Sequence, residues 1–143
     1  MERIYLFGRN ERTLLRDGWY DPERFEGGPL FRATAARARL CLPKEPITEI
    51  ALLCKAPIRL LDRPLGAALI DPWKRTVPVG FSSDAWHVRR YRPPSPGSIV
   101  DFLDIVVENP WSPSRLFGSY DRRIVGVWVS AVKLSIGNGL GRS

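Results

Sequence analysis

The chain has 143 residues, 44% of them hydrophobic, and a mean hydropathy of -0.17, which fits one soluble globular domain and excludes a disordered chain. The formal net charge is +7, but Lys and Arg are scattered singly, which argues against nucleic acid as a partner. No apolar stretch approaches the ~20 residues of a transmembrane helix and the first residues lack a signal-peptide core, so we predict no membrane insertion and leave the localisation open.

Short β-type segments separated by turns fill the first half of the chain. Thirteen Pro and twelve Gly favour many turns and short strands. We predict strands at residues 2–8, 30–34, 36–42, 47–55 and 65–71, with a loop at 10–17. Within 36–42, Ala and Leu alternate with Arg and Cys, which is typical of a half-buried strand with a basic face toward solvent.

The two cysteines, Cys41 and Cys54, flank the turn at residues 43–46. If the strands on either side of that turn form a hairpin, Cys54 lies ~16 Å along the partner strand from the position opposite Cys41, and on the other face. A disulfide needs Cα atoms within ~7 Å of each other. We therefore predict two buried free thiols.

The second half of the chain continues the β pattern. We predict strands at residues 76–79, 85–92 and 98–108, with 76–79 at a sheet edge because it contains Pro78. The longest β-branched and apolar run follows Asp121-Arg122-Arg123, and its only Gly is Gly126. We predict that this last strand has neighbours on both sides. The pattern predicts an all-β antiparallel sandwich of jelly-roll type, one domain at 1–136 with a flexible tail at 137–143.

Four motifs occur in a fixed order along nearly the whole chain. They are Gly18-Trp19-Tyr20 followed by Glu23; Gly27-Gly28 followed by Phe31-Arg32 and Thr34; Leu40-Cys41-Leu42-Pro43; and Asp121-Arg122-Arg123 leading to Gly126-Val127. This order resembles an accessory β-sandwich domain attached to bacterial glycosyltransferases and other cell-envelope polysaccharide enzymes. The chain departs from the family pattern at Ala33, where the family has an aromatic residue, and at Val125, where it has Leu. The resemblance implies a non-catalytic module that binds glycan or docks onto a partner domain.

Aromatic side chains are the first candidates for a glycan site, because a sugar ring can stack on an exposed aromatic face. Large aromatic rings are mostly buried, so we expect Trp128 in the core and Trp19 and Trp86 in or partly in it. Trp73 and Trp111 lie in turns beside prolines, and we predict these two as sugar platforms.

Charged residues of the motifs are the second candidates. Glu23, Arg32 and the cluster Asp121, Arg122 and Arg123 either form an ion network that pins a loop onto the sheet or bind a ligand through directional hydrogen bonds. Arg32 lies between Phe31 and Ala33, so it faces outward if they face the core. We hypothesise that Arg32 instead points inward, with Asp121 or Glu23 as its buried partner.

Signals of catalysis are absent from the sequence. His87 is the only histidine, so neither a His-based triad nor a multi-His metal site can be assembled. No Gly-rich phosphate loop follows a strand and opens a helix. We predict no enzyme activity, no cofactor and no metal among the site residues, and a calcium ion held by loop carboxylates stays open as an alternative.

These observations predict a carbohydrate-recognition or docking module of a bacterial envelope-glycan pathway, with a glycan or a partner protein domain as its ligand. The alternative is a structural protein-interaction domain whose basic face meets an acidic partner. A glycan module keeps exposed aromatics beside polar groups in a concavity, whereas a docking module has a flat basic or apolar patch. The sequence leaves the oligomeric state open.

Overall fold

The computed structural model describes residues 1–137, except the side chains at positions 116 and 117, so most of the predicted tail lies outside the described residues. Within them the chain forms ten strands: β1 (Glu2–Leu6), β2 (Arg32–Ala33), β3 (Arg37–Cys41), β4 (Pro46–Lys55), β5 (Leu65–Ile70), β6 (Thr76–Phe81), β7 (His87–Tyr91), β8 (Ser98–Ile99), β9 (Phe102–Val107) and β10 (Trp128–Ile136). Three short helical segments are α1 (Ile58–Leu61), α2 (Pro113–Phe117) and a 3₁₀ helix at Arg12–Leu14.

The strands form two antiparallel sheets packed face to face. The first sheet has the order β1-β10-β4-β7, with β2 paired to β10 and β8 paired to β4, and the second sheet has the order β3-β9-β5-β6. The chain thus moves repeatedly between sheets, so that β1 and β10 are neighbours, and β3 and β9 are neighbours. This is the connectivity of a jelly roll. The predicted all-β jelly-roll sandwich is confirmed.

Strand β10 occupies the centre of the first sheet, as its apolar run predicts. It pairs with β1 on one side and with β4 on the other. Val132 lies between Tyr5 and Leu52 in register, and all three side chains are buried. Burying apolar surface contributes roughly 25 cal/mol per Å², so a strand with both neighbours and a buried face is strongly held.

The aromatic core confirms the expectations for three tryptophans. Trp128 is buried and stacks on Phe31, with ring centroids 4.2 Å apart. Trp19 and Trp86 are partly buried and pack against the same core. Trp19 meets the ring of Phe7 edge-on at 5.6 Å, an arrangement that aromatic quadrupoles favour.

One predicted strand is divided between the two sheets. Residues 98–108 form two strands, β8 in the first sheet and β9 in the second, because the chain crosses between sheets at the buried Val100. The hairpin considered for the cysteines does not form, since β3 pairs with β9 and β4 pairs with β10. Both cysteines are nevertheless free thiols, with Cys54 buried and Cys41 only partly so.

Candidate functional site

The charged motif residues form an ion network around Arg123. The Arg123 guanidinium donates to both carboxylate oxygens of Asp121, at 2.7 to 3.0 Å, and through Nη1 to Glu23 at 3.0 Å. The same guanidinium lies 4.9 Å from the ring centroid of Tyr20, whose hydroxyl donates to the Ile124 carbonyl at 2.8 Å. Hydrogen bonds from Arg123 lower the pKa of Asp121, so this carboxylate is charged at neutral pH. The network joins an early loop to a late loop.

Close backbone packing holds the uncharged motif residues beside this network. Gly18 has φ +94°, and a Cβ there would lie 2.0 Å from the Arg37 carbonyl oxygen. Trp19 donates its indole N–H to the Arg39 carbonyl at 2.9 Å. The Thr34 hydroxyl accepts a hydrogen bond from the Val127 N–H at 3.1 Å. Residues of three of the four motifs therefore contact one another, through the pairs Glu23 with Arg123 and Thr34 with Val127, and fix two loops against the sandwich.

Arg32 points into a buried environment, but its partner differs from the one predicted. It is 8% exposed, and its Nε donates to Glu11 at 2.8 Å. Neither Asp121 nor Glu23 contacts it, because Arg123 holds both of those acids. Phe31 and Ala33 are also buried. The prediction assumed that one side of β2 faces solvent, whereas the segment around Glu11 covers that side.

The two predicted sugar platforms lie in different environments. Trp73 is 47% exposed and sits in the turn between β5 and β6. Trp111 is 7% exposed and donates its indole N–H to the Gly126 carbonyl at 3.1 Å. The expectation of an exposed Trp111 ring is therefore wrong, because the base of its loop closes over it. Trp73 follows β5, whereas Arg63 precedes it, which places Trp73 and Arg63 at opposite ends of that strand.

The loop between β9 and β10 carries a concavity. A two-residue bridge between Trp111 and Val125 closes its base, with N–H to carbonyl distances of 2.9 and 2.7 Å. Inside the loop, α2 ends at Gly118, whose φ of +66° allows its N–H to reach the Ser114 carbonyl at 3.0 Å. The loop is therefore a compact folded unit with its ends joined.

Two adjoining depressions on this loop form what we call the loop groove. The inner depression has a volume of about 190 Å³, and Arg63, Trp111, Ser112, Arg115 and Ile124 line it. The outer depression has a volume of about 480 Å³ and shares Ser112, Arg115 and Ile124 with the inner one. The outer depression adds Ser119, Tyr120 and Arg122. No carboxylate occurs among the described residues that line the loop groove.

Arg63 enters the loop groove from the segment between α1 and β5. Its Nη2 donates to the Asn109 carbonyl at 3.1 Å, and the Asn109 side chain accepts from the Gly66 N–H at 3.0 Å. The other terminal nitrogen, Nη1, is enclosed and makes no hydrogen bond with any described group. Arg63 is thus fixed in place with part of its hydrogen-bonding capacity unused.

Tyr120 is the aromatic residue that the sequence analysis missed. Its side chain is 100% exposed at the outer depression, beside Ser119 and Arg122. Of the predicted site residues, Arg122 and Trp111 line the loop groove, while Asp121 and Arg123 form the network behind it. The signal in the sequence was a tyrosine that follows Gly118 and Ser119 in a turn, but the tryptophans were ranked above this tyrosine as sugar platforms.

The outer surface of the first sheet carries an apolar row, part of which lines a shallow depression of about 230 Å³. One residue from each of its four main strands lies in register across the sheet: Leu6, Ala131, Leu53 and Val88. Val88 is 49% exposed, and Ile4 on the next row is 52% exposed. The cations beside the row are paired, Arg90 with Glu49 at 2.8 Å and Lys133 with Glu2 at 3.5 Å. The row is therefore apolar and locally neutral.

The predicted basic face of β3 is partly neutralised. Arg37 and Arg39 both donate to Asp104, at 2.7 Å each for the shortest contacts, and Asp104 is buried. Burial alone would raise the pKa of Asp104, but the two guanidinium groups lower it. The carboxylate is therefore charged at neutral pH and offsets part of the positive charge of this face.

The one histidine of the chain, His87, lies beside a serine hydroxyl. Nε2 of His87 lies 3.1 Å from the Ser83 hydroxyl, and among the described residues no carboxylate hydrogen-bonds to this histidine. Residues 1–137 contain no group of three or more His, Cys, Asp or Glu side chains placed to hold a metal ion. No helix in the same part of the chain is long and apolar enough to cross a membrane.

No protein-family model and no curated protein sequence matches the chain. Among solved structures, the fold is similar to the CBM36-1 domain, a carbohydrate-binding module, of a multidomain xylanase from the hindgut metagenome of Trinervitermes trinervoides. The TM-score is 0.55 at 10% sequence identity, over 96% of this chain and 98% of that one. A protein of unknown function from Shewanella oneidensis MR-1 aligns with a TM-score of 0.45 at 9% identity, over 100% and 89% of the two chains. The first likeness shows a shared β-sandwich fold.

Proposed function

We propose that this chain is a non-catalytic carbohydrate-recognition module of a bacterial envelope-glycan pathway, and that the loop groove is its binding site. The observation that carries the proposal is an exposed aromatic ring, Tyr120, next to serine hydroxyls and arginines in a concavity. Sugars bind through stacking on aromatic faces and through directional hydrogen bonds from polar side chains. The loop groove offers both kinds of contact.

Two further observations support the proposal. The fold is shared with a domain that is named as a carbohydrate-binding module. The motif residues that resemble an envelope-polysaccharide accessory domain fix the two loops behind the groove, through Arg123, Asp121 and Glu23. Loops that are already held in place lose less conformational entropy when a ligand binds than flexible loops do.

The test is a glycan array probed with the full chain, followed by the variants Tyr120→Ala and Trp73→Ala. Because Tyr120 is fully exposed, its removal should leave the melting temperature unchanged and weaken glycan binding about 2- to 10-fold. A loss of binding with Trp73→Ala alone would move the site to the turn between β5 and β6. A blank array would refute carbohydrate recognition.

A second candidate function, docking, is favoured by the apolar row Leu6, Ala131, Leu53 and Val88. Exposed contiguous apolar surface commonly marks a protein interaction site. In that case the glycan array is blank and the chain associates with a protein surface through this row. Sedimentation velocity would then show a complex of the chain with the protein bound to this row. Val88→Asp should dissociate that complex, whereas Tyr120→Ala should leave the complex intact.

A further inference from the structure

We propose that the loop groove selects an acidic saccharide, whose carboxylate is held by Arg63, Arg115 and Arg122. This inference rests on the proposed function and names the class of glycan that the site takes. It follows from the charges around the groove, from one enclosed guanidinium nitrogen of Arg63, and from the positions of the neighbouring ring and hydroxyls.

Nine of the 17 arginines in the described part of the chain have a carboxylate oxygen within 4.0 Å, and eight have none: Arg9, Arg12, Arg16, Arg24, Arg63, Arg89, Arg115 and Arg122. A carboxylate oxygen lies within 3.0 Å of a guanidinium nitrogen in each of Arg3, Arg32, Arg37, Arg39, Arg75, Arg90, Arg92 and Arg123. In the described part of the chain, Arg63, Arg115 and Arg122 have no carboxylate within 4.0 Å, although they line one groove. Three like charges that share a concavity repel each other, and an anion between them relieves that repulsion.

The enclosed nitrogen of Arg63 adds a second argument. A buried donor without a partner is costly, and more so when it carries charge. The Asn109 carbonyl holds only one end of the guanidinium group, so Arg63 Nη1 remains without a hydrogen bond among the described groups. Arg89 also has an enclosed nitrogen without a partner among the described groups, Nε, but it lines neither depression of the loop groove. Arg9 and Arg24 line another depression without a carboxylate, and neither has an enclosed nitrogen of this kind. A bound anion would compensate the charge of Arg63.

The chemistry of the remaining lining identifies the anion as part of a sugar. Guanidinium groups bind carboxylates with paired, planar hydrogen bonds. Tyr120 offers its ring beside Arg122, and Ser112 and Ser119 offer hydroxyls that donate and accept. A uronic acid presents a carboxylate, ring hydroxyls and an apolar ring face together. A simple inorganic anion would use the arginines alone.

The experiment is an array that carries each glycan in two forms, the free uronic acid and its neutral methyl ester, together with sulfated and phosphorylated glycans. The full chain is probed on this array, and the affinities of the best acid and ester pair are then measured by calorimetry. The variants are Arg115→Gln and Arg122→Gln. The matched control is Arg12→Gln, an exposed arginine of the 3₁₀ helix that lies outside the groove.

We expect the acid to bind at least about tenfold more tightly than its ester, because a charge-assisted contact is lost on esterification. Arg115→Gln and Arg122→Gln should each weaken the acid about tenfold and leave the ester unchanged, while Arg12→Gln changes neither. Equal binding of acid and ester would overturn this inference but leave carbohydrate recognition standing. Binding only to sulfated or phosphorylated glycans would also overturn it. A blank array would refute both proposals together.

Discussion

The buried pair of Arg32 and Glu11 provides a quantitative test of how the early loop is held on the sandwich. Their side chains are 10% and 2% exposed, and the contact from Nε to the carboxylate is 2.8 Å. The Glu11 carboxylate also accepts the Gly8 N–H at 2.7 Å, and Arg32 donates to the Tyr20 carbonyl at 3.1 Å. The perturbation is Glu11→Leu, Arg32→Met, and both together, which keep the side-chain volumes similar.

Each single substitution leaves one charge buried without its partner. The expected loss in the free energy of unfolding is about 3–5 kcal/mol, which lowers the melting temperature by about 10–15 °C for a chain of this length. The double variant has neither charge, so it loses only the flanking hydrogen bonds to Gly8 and Tyr20, at about 1 kcal/mol each. It should therefore melt above both single variants.

Thermal melts and urea titrations of the four proteins measure this coupling. The control is Asp121→Ala combined with Arg32→Met, whose effects should add, because Asp121 pairs with Arg123 instead. If the losses of Glu11→Leu and Arg32→Met simply add, the pair is not coupled and the reasoning fails. If the variant that combines Asp121→Ala with Arg32→Met shows strong coupling, Arg32 interacts with Asp121 and the early loop is not held by the Arg32–Glu11 pair alone.

The same pair predicts a pH dependence. Burial alone would raise the pKa of Glu11, but the Gly8 N–H and Arg32 lower it below its ordinary value of 4.5. A group whose pKa falls on folding stabilises the fold fully above its unfolded value, and that contribution disappears as the pH falls through the folded value. The parent should thus lose stability below about pH 4.5, and the double variant should lose less over the same range.

Two further predictions concern packing and thiol chemistry. A Cβ on Gly126 would lie 2.5 Å from both the Thr34 hydroxyl oxygen and a Val107 methyl, so Gly126→Ala should cost about 1–3 kcal/mol, measured by urea unfolding, and an unchanged midpoint would contradict this packing. Burial raises the pKa of Cys54 to about 12, so a thiol reagent should modify Cys41 alone in the native protein and both thiols in denaturant. Rapid native labelling of Cys54 would contradict its buried position.

Much of the fold could be predicted because the apolar pattern records which face of each strand is buried. The run that became β10 has two neighbours, and the alternation in β3 places Ala38 and Leu40 inside. Strand β6 lies at a sheet edge, where Pro78 needs no outer partner. The pattern does not record which sheet a strand joins. A turn rich in proline suits a hairpin and a crossing between sheets equally, so the sequence could not decide whether β3 pairs with β4, and in the structure β3 pairs with β9 instead.

The site was harder to predict because its residues come from separate loops without a period. Arg63, Arg115 and Tyr120 meet only after β5 and β9 have paired, which brings Asn109 next to Gly66. The sequence shows each arginine as one of many scattered basic residues, and the distinction between paired and unpaired cations exists only in the folded chain. Arg32 illustrates the converse error. Alternation predicted that it faces either solvent or core, whereas a loop from the same chain covers it and supplies Glu11.

Arg32 and Arg63 differ in how much each is expected to stabilise the folded chain. Arg32 is buried together with an acid, and its removal is expected to destabilise the fold. Arg63 contributes one hydrogen bond to the Asn109 carbonyl, and its enclosed nitrogen has no partner among the described groups, so we expect its net contribution to stability to be small. A residue that stabilises the free protein little, yet is held in place by Asn109, has the properties of a preorganised binding group. Arg32 holds the early loop through Glu11. The groove residues Arg63, Arg115 and Arg122 have no carboxylate within 4.0 Å in the described part of the chain, and these are the arginines that we propose bind an anionic ligand.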